Sequence, residues 1–84
     1  MHTVYILKSE KDKKLYIGST GSLIRRLQEH ENGLVNSTRH RRPLRLIYRE
    51  DFTTGSEALD RERYFKGGGK ARKLLDDLIN KLGD

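Results

Sequence analysis

Two short runs near the N-terminus, HTVYILKS and KLYIGS, constrain this chain more than anything else in it. Both are rich in β-branched and aromatic residues, and a polar stretch, SEKDKK, separates them. Such a pattern predicts two strands joined by a turn, a hairpin over residues 2–19. Side chains alternate along a strand, so Thr3, Tyr5 and Leu7 share one face, as do Tyr16 and Gly18 on the second strand. An even-length loop register brings Tyr5 and Tyr16 to the same face of the sheet. Gly18 beside them leaves room for a close approach of backbone or substrate.

A hairpin alone cannot make a stable domain, and the next segment supplies what covers it. Ser22 is a plausible N-cap for a helix over 23–32, closed by Asn32-Gly33. With about 100° per residue, Leu23 and Leu27 define an apolar stripe, and Arg26 and His30 fall on it or beside it. Arg25 and Glu29 point away and suit a surface i,i+4 pair. The ordinary reading has Arg26 snorkelling along the stripe edge and His30 capping a neighbour.

Residues 34–42 are polar and basic, and Pro43 opens a third strand, PLRLIYREDF. Thr54 and Glu57 form a capping box that starts a helix over 55–66. Its expected apolar face is Ala58, Leu59 and Phe65, with Glu62 inside that stripe. A carboxylate there calls for a metal or a pair, with Arg26 or Lys66 as the candidate partner. Gly67-Gly68-Gly69 then breaks the chain, and KARKLLDDLINKL reads as a final amphipathic helix with Leu74, Leu75, Leu78, Ile79 and Leu82 on one side. The order β-β-α-β-α-α predicts an α+β fold, a small three-stranded antiparallel sheet flanked by helices.

At 84 residues, one domain spanning 1–84 is the sensible count. The absence of cysteine excludes disulfides, thiolate metal sites and a cysteine nucleophile. No run resembles a signal or a membrane span, so the chain reads as a cytoplasmic, soluble protein and a monomer. Its net charge of +6 suggests a polyanionic partner. The basic residues crowd into STRHRRPLR, where Arg39, His40, Arg41, Arg42 and Arg45 are candidate nucleic-acid contacts. Two phenols, an arginine, an imidazole and a carboxylate on a basic chain fit phosphodiester chemistry. The carboxylate suits a divalent cation, the arginine suits developing phosphate charge, and a phenol or imidazole can take a proton from water.

These residues carry a resemblance to the GIY-YIG nuclease family. TVY (Thr3-Val4-Tyr5) and YIG (Tyr16-Ile17-Gly18) match its two tyrosine motifs. Arg26 on the following helix, His30 one turn later and Glu62 after the third strand match its remaining site positions. The chain is most similar to small standalone bacterial members, over about residues 2–66. Thr3 stands where the family name has glycine, Ser19 stands where excision-repair members have lysine, and a late asparagine has no clear match, Asn80 lacking a supporting motif. The resemblance implies an endonuclease that hydrolyses DNA with one Mg2+ or Mn2+ on Glu62. It would select DNA structure more than sequence, in repair or recombination, alone or with an unidentified protein partner. Arg26 would neutralise phosphate charge, Tyr5 would orient a neighbour, and Tyr16 or His30 would activate water. The alternative is a nucleic-acid-binding module on the same scaffold that cuts weakly or not at all.

Overall fold

The computed structural model describes residues 1–81, apart from the side chains of Leu78, Ile79 and Lys81. Strands β1 (His2–Ser9), β2 (Leu15–Thr20) and β3 (Leu44–Phe52) form one antiparallel sheet in the order β2-β1-β3. Helix α1 (Leu23–Glu31) follows β2, and α2 (Gly55–Lys66) and α3 (Lys70–Lys81) follow β3. The α+β order β-β-α-β-α-α expected from the sequence is the order observed.

The hairpin register sets Tyr5 against Gly18 and Leu7 against Tyr16, so both phenols lie on one face. Val4, Ile6 and Ile17 point to the other face, where they pack with Ala58 and Phe65 of α2 and Leu75 of α3. Between β1 and β3, Ile6 faces Tyr48 while Leu7 faces Leu46, which makes Ile47 the extra residue of a β-bulge. Ile47 is buried in the same core. The edge of α2 is fixed by Arg61, which donates to Glu50 at 2.8 Å and lies 4.4 Å from the Phe65 ring centroid.

Several local expectations need correction. Ser22 is the N-cap of α1, but its side chain makes no capping bond. The Thr20 hydroxyl accepts from the Ser22 amide at 3.1 Å instead, because β2 runs directly into the helix. The polar 34–42 stretch contains a 3-10 turn at Arg39–Arg41, and β3 starts at Leu44, after Pro43. Leu59 is 39% exposed and lies off the buried face of α2, since Ala58 and Phe65 already fill the space against the sheet. Among the described side chains of α3, Ala71 and Leu75 are buried, and Leu74 turns outward. Leu82 and the side chains of Leu78 and Ile79 lie outside the described residues. The capping box of α2 is present, with Thr54 Oγ1 accepting from the Glu57 amide and Glu57 Oε1 accepting from the Thr54 amide, each at 3.2 Å.

Candidate active site

Helix α1 and the loop after it lie over the face of the sheet that α2 and α3 leave open. Two polar side chains of α1 reach that face. His30 is buried, and its Nε2 lies 2.9 Å from the Tyr5 hydroxyl. Its Nδ1 lies 2.8 Å from the hydroxyl of Thr38, which is also buried. The Arg26 guanidinium donates to Glu29 at 3.0 Å and lies beside the Tyr5 and Tyr16 phenols, near enough for its charge to act on them.

The direction of this network follows from donor arithmetic. The Arg26 charge favours the Tyr5 oxygen, not its proton, on the side that faces the guanidinium. The Tyr5 O–H then points to His30 Nε2, the acceptor within reach. A neutral imidazole carries its single proton on the other nitrogen, so Nδ1–H donates to Thr38 Oγ1. Thr38 in turn faces the Val35 carbonyl at 3.5 Å. Burial lowers the His30 pKa below its usual value, with the Arg26 charge adding to that and Glu29 opposing it. Burial also pushes the Tyr5 phenol up to about 12, against the pull of Arg26. The Tyr5 phenol, and then the hydrogen bond to Glu29, raise Arg26 further, so it stays charged.

Gly18 permits this packing. A Cβ at that position would stand 2.6 Å from the Tyr5 hydroxyl oxygen and 2.7 Å from Tyr5 Cζ. The three rings of Tyr5, Tyr16 and His30 therefore close into one cluster, with Tyr16 and His30 centroids 5.0 Å apart.

Glu62 arrives from the other side of the sheet, around the β2 edge. One carboxylate oxygen accepts from the Ser19 hydroxyl at 2.6 Å, and the other accepts from Lys66 Nζ at 2.6 Å. Burial alone would raise its pKa, but Lys66 and Ser19 hold the carboxyl below the usual range. Its partner is thus Lys66, not Arg26, although its charge still reaches the Tyr5 phenol.

A family model described as the GIY-YIG catalytic domain matches residues 1–74. The chain belongs to the GIY-YIG nuclease superfamily. Its relatives include a UPF0213 protein of Staphylococcus saprophyticus, 42% identical over 87% of this chain and 89% of that one. The UPF0213 protein YazA of Bacillus subtilis is 39% identical over 88% of this chain and 75% of its own length. A solution NMR structure of a UPF0213 protein from Bacillus halodurans matches with a TM-score of 0.58 and 32% identity, covering 94% of this chain and 82% of that one.

In this GIY-YIG domain, Tyr5, Tyr16, Arg26 and His30 come together, Glu62 stands apart on Ser19 and Lys66, and their exposure differs. Tyr5 and His30 are buried, with 0% and 2% of their surface accessible. Tyr16 and Arg26 are half-buried and open to solvent. The basic segment divides as well. Arg41 is held by Asp12 at 3.1 Å and by the Leu15 carbonyl, and Arg45 by Glu10 at 3.1 Å. Arg45 pairs with Lys8, so it projects from the opposite face of the sheet to Leu44 and Leu46. Arg39 donates to His40 Nε2, and Arg42 donates to the carbonyls of Arg39 and Glu31. Sequence reasoning missed Thr38 and Ser19 as partners of the site. Ser19 carried a signal in its place directly after YIG. Thr38 lay in a stretch with no periodicity to mark it.

Among the described residues, no group of three His, Cys, Asp or Glu side chains gathers to hold a metal alone. Glu62 fits magnesium all the same, because that ion is commonly held by one or two carboxylates with water and substrate phosphate. The carboxylate is ionised, partly buried, and engaged by a lysine that can swing into solvent. No helix among the described residues is long and apolar enough to cross a membrane.

Proposed function

We propose that this chain is a metal-dependent endonuclease that hydrolyses DNA phosphodiester bonds, selecting DNA structure more than sequence. The observation that carries this reading is the Arg26 guanidinium, held by Glu29 beside the two phenols at the solvent-open rim of the cluster. A preorganised cation in that position suits a phosphate oxygen whose charge grows in the transition state.

Exposure favours Tyr16 over His30 as the proton acceptor for water. Both His30 nitrogens are engaged inside the protein, whereas Tyr16 reaches solvent beside Arg26. Tyr5 and His30 then act as positioning residues beside Arg26. Glu62 would hold Mg2+ or Mn2+ in place of Lys66, and the ion would supply Lewis-acid stabilisation of the phosphate. Arg39 and His40 flank the site as phosphate contacts. Repair or recombination is the setting that suits such an activity.

The test is cleavage and binding on branched, nicked and single-stranded DNA with magnesium. Wild type is expected to cut, and the nearly isosteric Glu62→Gln is expected to bind DNA but not cut. A Glu62→Gln protein that cuts at the wild-type rate overturns the reading.

A further inference from the structure

A cleft of about 700 Å³ has His30 in its lining but neither Tyr16 nor Arg26. Leu7, Leu27, Leu44 and Leu46 line it, together with Arg39, Arg42 and Glu31. The volume lies in the range of small-molecule sites. It is not part of the cluster described above, but the two share the His30 ring as a wall.

These two arginines differ in pairing from the rest of the basic segment. Arg41 and Arg45 are neutralised by Asp12 and Glu10. Among the described residues, Arg39 and Arg42 form no ion pair, and the cleft they line holds two arginines against one carboxylate, Glu31. Arg42 is also fixed in place. Its Nε donates to the Arg39 carbonyl at 2.9 Å and its Nη1 to the Glu31 carbonyl at 3.1 Å. Its guanidinium lies against Gly33, where a Cβ would stand 2.8 Å from Cζ. Gly33 has φ 76°, a conformation that also favours glycine. The result is a planar cation held in place beside apolar side chains, in a cleft whose arginines outnumber its one carboxylate.

A bare phosphate gains nothing from four leucines, and an apolar peptide gains nothing from two arginines. A nucleotide satisfies both, with a flat base for the leucines and the Arg42 plane and a phosphate for Arg39. Bases in a duplex have their faces stacked and cannot enter. We infer that this cleft binds one unpaired nucleotide of the DNA, its base over Leu44 and Leu46 and its phosphate on Arg39. This inference rests on the nuclease reading and deepens it, because it makes an unpaired base next to the cleaved strand the structural feature selected.

The experiment compares two duplexes in calcium, one carrying a single-base bulge of 2-aminopurine and the other an abasic residue at the same place. Tighter binding of the base bulge by about tenfold, the order of one stacked base, with a saturable fluorescence change, is the expected result. Leu46→Trp, which fills the cleft from a surface position, is expected to abolish that difference while leaving binding of plain duplex unchanged. Equal affinity for the two bulged duplexes overturns the inference even where the DNA is cut. If the protein binds no duplex, the nuclease reading fails separately and methyl NMR decides the cleft. Shifts at Leu27, Leu44 and Leu46 with deoxyadenosine monophosphate, but not with deoxyribose 5-phosphate, support it, and their absence overturns it.

Discussion

The Tyr5 hydroxyl and the His30 imidazole meet at 2.9 Å, and this one contact sets the direction of every proton in the buried network. With the Arg26 charge beside its oxygen, Tyr5 donates inward to the neutral imidazole, and His30 carries its proton toward Thr38. Protonating His30 would place two donors against the Tyr5 O–H, beside the Arg26 charge and inside the protein.

That arrangement has a pH signature. The groups facing His30 are Tyr5 and Tyr16 on the sheet, Arg26 and Glu29 on α1, and Thr38 on the loop. Its pKa in the folded chain is below the 6.5 of the unfolded one. Between those two values the unfolded state binds the proton and the folded state does not, so stability rises with pH there. The contribution is complete above 6.5 and is lost as pH falls toward the folded value. Urea unfolding at a series of pH values is expected to show this loss in wild type. His30→Gln, which keeps a neutral polar group, is expected to lack that component of the slope.

Thr38→Val keeps the shape of the side chain and removes the acceptor for Nδ1–H. It is expected to cost about 1–3 kcal/mol of stability, the usual cost of a buried unpaired donor. Thr38→Ser is expected to restore most of it. Denaturant midpoints of the two variants check this, and equal midpoints would mean that the imidazole proton is not on that side.

Gly18→Ala is expected to push the Tyr5 ring away, since a Cβ would overlap its hydroxyl. The ring cannot yield cheaply, being buried and hydrogen-bonded. The stability loss is expected at about 1–3 kcal/mol. Activity should fall by about 10²-fold, because Arg26 loses the phenol beside it. Cleavage measured at a temperature where the variant is fully folded separates the two effects.

Arg25 and Arg26 are neighbours with opposite fates. The Arg25 side chain is 80% exposed and pairs with Glu29 at 3.6 Å, whereas Arg26 lies beside the phenols. Arg26→Ala is expected to lower the cleavage rate by about 10²–10³-fold, the loss of one preorganised donor. Arg25→Ala is expected to change it by no more than a few-fold. Equal effects in single-turnover assays would mean that both act only through general attraction for phosphate.

The helix period alone was enough to turn Arg26 and His30 toward the sheet and Arg25 away from it, and strand alternation was enough to unite Tyr5 with Tyr16. Those features depend on neighbours close in sequence. The remainder depends on distant partners. Asp12 and Glu10 in the hairpin turn reach Arg41 and Arg45 across 29 and 35 positions, and no local pattern announces that pairing. Thr38 owes its burial to the 3-10 turn after it, in a stretch where polar composition pointed to solvent. For Glu62 the sequence left two partners open, and only the packing of α2 against the β2 edge chose Lys66 and Ser19. The outward turn of Leu59 and Leu74 has the same origin, since a stripe read from a helix alone is wider than the contact its neighbours allow.

Strand β1 lies between β2 and β3, and its successive residues alternate between the apolar core and the phenol cluster. This placement governs how the molecule comes apart. Helix α3 rests on α2, and its release leaves Tyr5 where it was. Releasing Tyr5 requires breaking the ladders on both sides of the middle strand, which is nearly the whole sheet. The amide protons of Val4 to Leu7 are therefore expected to exchange with solvent only through global unfolding, and those of α3 through smaller openings. The platform beneath the phenols is then as durable as the fold itself, and partial denaturation frays the periphery before it reaches the chemistry.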